Sequence, residues 1–214
     1  MHFPFIYLAS ASPRRHELLT QMGVPHTVVN VPAPPGEDEP RLPGEHPHDY
    51  VERTAHDKAR QAMHWLEHQP GLPQAPVLTA DTTVILGDTL LGKPADLNDA
   101  ARILRTLSGQ THEVRTAVVL AHQGHLESVV SVSRVRFQKL TDAEIDGYCA
   151  SGEPLGKAGA YGIQGLGGIF VEHLDGSYTG VMGLPVHETA RLLRSIRLEY
   201  PGRSGNQCHP ASHQ

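Results

Sequence analysis

Apolar positions along the chain follow two kinds of pattern. Short continuous runs at residues 5–9, 24–31 and 77–86 predict buried strands, and apolar spacings of three and four predict helices at 50–66, 98–107 and 185–198. The first run passes into Ser10-Ala-Ser-Pro13, a helix start with proline in its first turn. Leu18, Leu19 and Met22 supply that helix's stripe, and Gly23 ends it. Gly87-Asp88 predicts a hairpin into a strand at 89–91, and Gln123-Gly124 a second one joining 111–121 to 126–137. Thr141 followed by Glu144 forms a capping box for a helix ending at Ala150. A glycine-dense stretch, 152–168, leads to a strand at 169–174 and a turn at Asp175-Gly176. Residues 32–47 read as a loop and 201–214 as a polar, disordered tail. Strands, crossover helices and hairpins together predict an α/β fold, a mixed twisted sheet flanked by helices in one domain over 1–200.

Composition narrows the function. No stretch approaches the roughly 20 apolar residues that a bilayer requires, and no basic region precedes the short apolar run at the start, so neither a membrane span nor a secretory signal is expected. The formal charge is -5 with no block of five or more like charges, which removes the electrostatic footprint of a long nucleic acid. Cys149 and Cys208 lack metal-ligand spacing and read as free thiols of a reducing, cytoplasmic setting. With 15 histidines, the metal-compatible spacings His46-x-His48 and His64/His68 are expected by chance. The 18 basic residues include four lysines, Lys58, Lys93, Lys139 and Lys157, and the first, second and fourth stand where a phosphate can approach closely.

Three constellations carry candidate chemistry. In 10–15, Ser-Ala-Ser-Pro-Arg-Arg, hydroxyls, guanidiniums and free helix amides converge as they would on a phosphate. The plainer reading has Ser12 as an N-cap and the arginines in solvent, yet cations in a first turn oppose the helix dipole and call for a negative partner. Asp81 interrupts an apolar strand, where a carboxylate must be paired, metal-bound or hydrogen-bonded to backbone; it is a candidate base, ligand or structural acid. The acidic loop Glu37-Asp38-Glu39 offers oxygen ligands to a hard divalent cation or is simply solvated. In 159–168, five glycines in ten residues allow close backbone approach or tight turns, and Gln164 presents an amide able to read a base edge.

Taken in order, Ser10-Ala-Ser-Pro-Arg-Arg15, Ala80-Asp-Thr82, Gly92-Lys-Pro94, Leu107-Ser-Gly-Gln-Thr-His112, Gly159-Ala-Tyr-Gly-Ile-Gln164, Gly176-Ser-Tyr178 and Gly183-Leu-Pro185 resemble the Maf family of nucleoside triphosphate pyrophosphatases over about residues 7–193. Within it the chain looks like the branch acting on dTTP and UTP. The sister branch for 7-methyl-GTP carries an aromatic residue before the two arginines and Asp-Gln at the position of Asp81-Thr82. The resemblance implies two lobes around a central cleft, as in inosine triphosphate pyrophosphatases, and hydrolysis to a monophosphate and pyrophosphate with Mg2+ or Mn2+. It implies Asp81 as proton acceptor, Lys58 and Lys93 with Ser10 and Arg15 on phosphates and developing charge, and Arg14, Thr82 and Gln164 selecting the base. Glu39, with Glu37 as the alternative, would bind metal, and the chain would be a homodimer. Two positions depart from the pattern: the acidic pair is delayed by residues 32–36, and Gly156 replaces the aspartate that usually precedes the lysine. A second reading, a nucleotide-binding regulator acting by contact, is allowed by the family's association with septum formation.

Overall fold

The computed structural model describes residues 2–32, 39–198 and 200. Its elements, in order, are β1 (His2–Phe3), β2 (Ile6–Ala9), α1 (Pro13–Gln21), β3 (His26–Val29), α2 (Pro47–Glu67), β4 (Val77–Leu86), β5 (Thr89–Leu91), α3 (Leu97–Leu107), β6 (Thr111–His122), β7 (His125–Phe137), α4 (Asp142–Ala150), β8 (Val171–Asp175), α5 (Tyr178–Met182), α6 (Val186–Leu193) and β9 (Arg197–Leu198). Short 3₁₀ turns occupy Ala158–Ala160 and Leu166–Phe170. The expected mixed sheet is present: seven strands in the order β3-β2-β4-β6-β7-β8, with β5 also on β4. The β3-β2-β4 portion is parallel and the remainder antiparallel.

The parallel part explains why helices cover both faces. Chain travel from β2 to β3 and then back past β2 to β4 reverses direction across the sheet, so right-handed crossovers put α1 and α2 on opposite sides. Leu18 and Leu19 of α1 join the larger apolar cluster, with Ile6, Leu8, Leu78 and Val118. Val51, Ala55, Ala59 and Ala62 of α2 form the other, against Tyr7, Val77, Ala117 and Val119. Small residues on the buried stripe of α2 let its backbone come close: the Thr79 hydroxyl donates to the Ala55 carbonyl at 3.0 Å.

One edge of β4 positions the cleft. β6 lines its other edge from Val77 to Ile85, so β2, paired at Val77 and Leu78, and β5, paired from Val84 to Leu86, must share the first. Among the described residues, no strand covers that edge between Thr79 and Thr83. The parallel and hairpin halves part there, at the carboxyl end of β2, where open α/β sheets commonly bind ligands.

Several boundaries differ from the sequence reading. The strand expected over 24–31 is confined to His26–Val29, and α2 starts at Pro47, a turn earlier than residue 50. Ile169, expected in a strand, is 68% exposed in a 3₁₀ turn, because Gly167 and Gly168 coil the chain through local bonds such as Gly168 N to Gly165 O at 3.0 Å. The helix expected over 185–198 stops at Leu193; Arg197 and Leu198 instead pair with His2 and Phe3 as a two-stranded parallel sheet. Helix α5 and both strands of that small sheet are too short for periodicity to reveal. Glu37, Asp38 and the expected tail lie outside the described residues.

Candidate active site

Alternation along β4 sends Asp81 toward α2 and Thr82 toward α1, so one strand supplies both walls of a cleft of about 620 Å3. On the α2 side, Lys58 Nζ lies 2.7 Å from Asp81 Oδ1 and 2.5 Å from Glu39 Oε1. The Thr54 hydroxyl, one helical turn before Lys58, is 2.9 Å from Asp81 Oδ2. Asp81 is only 6% exposed, yet both its oxygens have partners, so its burial is compensated by a cation and a hydroxyl.

On the α1 side, Arg15 spans three elements. Its Nε donates to the Gly183 carbonyl at 2.8 Å, Nη1 to Ser10 Oγ at 3.2 Å and Nη2 to Thr82 Oγ1 at 3.2 Å. Thr116 lies opposite Thr82 in the β4–β6 ladder, and its hydroxyl donates to the Gly180 carbonyl at 2.7 Å. With that proton committed, the 2.9 Å contact between the two threonines has Thr82 as donor. A directed chain therefore runs from Arg15 through Thr82 and Thr116 to α5. All of Arg15's partners are neutral, and burial pushes its guanidinium down from the ordinary arginine value, against the pull of Asp81. Burial likewise lowers Arg14, whose Nε donates to the Met182 carbonyl at 3.2 Å. Two half-buried cations bonded to neutral oxygens favour an anionic ligand beside them.

Ser12 holds the N-cap position just before α1, but its hydroxyl makes no cap bond. Ser10 Oγ instead accepts from the Ser12 amide at 3.2 Å, leaving the amides of the helix's first turn open to a ligand. Opposite stand Lys93, after β5, and Gln164, in the glycine-rich segment; both are exposed and bond to no described residue. Lys157 also lines the cleft, with its ammonium turned to the Glu153 carbonyl.

Ser10, Arg14, Arg15, Glu39, Lys58, Asp81, Thr82, Lys93 and Gln164 thus all line this one cleft. Lys139 is exposed elsewhere, in keeping with its reading as a surface residue, and Cys149 is a buried free thiol. Sequence reasoning did not single out Thr54, Thr116 or Glu153. For Thr54 there was a signal: a hydroxyl within the otherwise small, apolar stripe of α2, four residues before a lysine.

Among the described residues, no three His, Cys, Asp or Glu side chains converge as a metal cage. A hard cation carried with a polyphosphate needs only one or two protein carboxylates, its remaining ligands being phosphate oxygens and water. Glu39, a carboxylate on the cleft wall, fits that requirement.

Comparison with known proteins places this architecture. A family model described as "Maf-like protein" matches residues 5–196. A protein of Bordetella parapertussis named dTTP/UTP pyrophosphatase is 63% identical over 198 residues, covering 92% of this chain and 95% of its own. Proteins with the same name from Bordetella avium and Cupriavidus metallidurans are 60% and 53% identical; they cover 94% and 91% of this chain and 99% and 98% of their own.

Proposed function

The chain belongs to the Maf family, and from that membership and the geometry of the cleft we propose that it hydrolyses dTTP and UTP to the nucleoside monophosphate and pyrophosphate. One observation carries the reading: a buried carboxylate, Asp81, held by Lys58 and Thr54 in a cleft that also gathers Arg14, Arg15, Lys93 and Lys157. A surface acting only by contact has no use for a desolvated carboxylate amid cations, so the regulatory reading is not favoured.

In this reading Asp81 accepts a proton from the attacking water. The proton can rest on Oδ2 because the Thr54 hydroxyl, which donates to Asp81, has a second acceptor in the Tyr50 carbonyl at 2.9 Å. Turning that hydroxyl lets it receive from protonated Asp81, so each protonation state keeps its hydrogen bonds. Arg15, Ser10 and the open amides of α1 hold phosphate oxygens, while Lys58 and Lys93 offset the charge that builds as the bond breaks. Gln164 reads the base edge, and Arg14 and Thr82 shape that wall. Glu39 would hold a Mg2+ or Mn2+ ion, which when bound neutralises phosphate charge and polarises the scissile group.

Among the described residues no helix is long and apolar enough to cross a membrane. A cytoplasmic homodimer completes the proposal, and sedimentation of the purified protein tests the dimer.

Incubation with dTTP, UTP, CTP and 7-methyl-GTP plus Mg2+ or Mn2+, with products separated, tests the reaction. Pyrophosphate and monophosphate from the first two are expected. Orthophosphate as the primary product would reject the cleavage position.

A further inference from the structure

The density of glycine in 159–168 has a local cause that also bears on base selection. Glu153, in the turn after α4, points its half-buried carboxylate into this segment. Oε1 accepts from the Tyr148 hydroxyl at 2.9 Å and from the Gly167 amide at 3.1 Å, and Oε2 from the Leu166 amide at 2.9 Å. The Tyr148 oxygen in turn accepts from the Gly162 amide at 3.2 Å. One carboxylate and one phenol therefore grip the backbone two residues before Gln164 and two and three residues after it. The grip excludes side chains: a Cβ on Gly165 would lie 2.5 Å from a Glu153 oxygen, and one on Gly167 2.8 Å from the Tyr148 hydroxyl. Burial pushes the Glu153 carboxyl upward, but the amides of Gly167 and Leu166, the Tyr148 hydroxyl and the Lys157 charge outweigh it and leave the group below its ordinary value.

Gln164 itself bonds to no described residue, so its side chain is free to meet a ligand while its backbone is held from both sides. We propose that Glu153, acting through Tyr148 and the amides of residues 162, 166 and 167, is the positioning residue that fixes Gln164 for base recognition and so sets discrimination among pyrimidine triphosphates. The inference rests on the function proposed above. Glu153 does not touch substrate; a misplaced Gln164 weakens base contacts, while the Asp81 side of the cleft is unchanged. Its loss therefore acts on KM and on the ratio between bases more than on kcat.

Two variants test this, each alongside the wild-type protein. Glu153→Gln keeps the size of the side chain but sets an NH2 group against donors; Tyr148→Phe keeps the ring that packs edge-on to Phe170 at 5.0 Å between centroids and removes only the hydroxyl. Amide hydrogen exchange across 162–167 should accelerate about tenfold in Glu153→Gln, the scale of one lost charge-assisted bond. The kcat/KM ratio of dTTP to CTP should fall about fivefold or more in both variants, carried by KM, with kcat for dTTP within about threefold of wild type. Unchanged exchange in Glu153→Gln, or accelerated exchange with an unchanged ratio, overturns the inference, as does a fall in kcat at constant KM. A wild-type protein that cleaves no triphosphate defeats the proposed function and the link to base choice, while the exchange data still decide whether Glu153 holds the segment.

Discussion

Thr54 and Asp81 are joined across the interface of α2 and β4 by a 2.9 Å hydrogen bond in which a helical hydroxyl faces a strand carboxylate. Thr54 is 2% exposed and Asp81 6%, so bulk water cannot readily replace the bond. Asp81→Asn should retain nucleotide binding and lose about 100-fold or more in turnover, the usual contribution of a general base. Thr54→Val should lower kcat about tenfold with little change in KM. Thr54→Ser, which restores the hydroxyl, should recover most of that loss. Steady-state kinetics on the three proteins check it, and full activity in Asp81→Asn rejects Asp81 as the base.

Arg15 reaches Ser10, Thr82 and Gly183 through one rigid fork, a geometry that a lysine cannot reproduce. Arg15→Lys keeps the charge but should raise KM for the triphosphate about tenfold or more through lost positioning. The melting temperature should also fall, since the bonds tie α1 to β4 and to the end of α5. An unaltered KM would show that the directed chain is structural only.

Glu39 shares the Lys58 ammonium with Asp81, so its removal leaves the general base held while weakening any cation on that wall. Chelation with EDTA should abolish turnover, and Mg2+ or Mn2+ should restore it. Glu39→Gln should raise the cation concentration for half-maximal rate about tenfold. Identical cation titrations for variant and wild type would remove Glu39 from the metal site.

His112 lies buried under Phe137 and Tyr161, its Nε2 2.9 Å from the Tyr161 hydroxyl and its Nδ1 without a hydrogen-bond partner among the described residues. Burial lowers its pKa to about 4. Because the unfolded chain binds the proton first as pH falls, stability is fully present above about pH 6.5 and is lost on descent toward pH 4, by roughly 3 kcal/mol. Urea unfolding at a series of pH values should show this slope in wild type and a shallower one in His112→Gln. Equal slopes would place the titration elsewhere.

Much of the architecture could be read from the chain because its signals are local. The run 77–86 is buried at all but Thr82 and Leu86 and flanked by a Gly-Asp turn, and it appears as β4 with those limits. The Thr141/Glu144 box likewise forms with both reciprocal bonds. Errors cluster where nonlocal contacts decide. Leu192, Leu193 and Ile196 keep a helix-compatible spacing, yet the helix ends at Leu193 and Leu198 pairs with Phe3 in a strand. In the site, charged residues stood out against apolar or glycine-rich surroundings. Thr54, Thr116 and Glu153 did not, since a hydroxyl or carboxylate reveals its task only when the fold shows its partner.

The uncovered edge of β4 makes the cleft a gauge whose jaws are two strand ends. Each residue inserted at the end of β2, with its register on β4 unchanged, would carry Ser10 about 3.3 Å further along β4 toward Asp81 and Thr82, and an earlier end to β5 would lengthen the gap from the opposite side. The span available to a ligand is thus written in ladder lengths, while the apolar clusters on the two faces of the sheet need not be rebuilt. Such a scaffold can be refitted to a shorter or longer substrate at its strand ends, with Asp81 and Lys58 left in place.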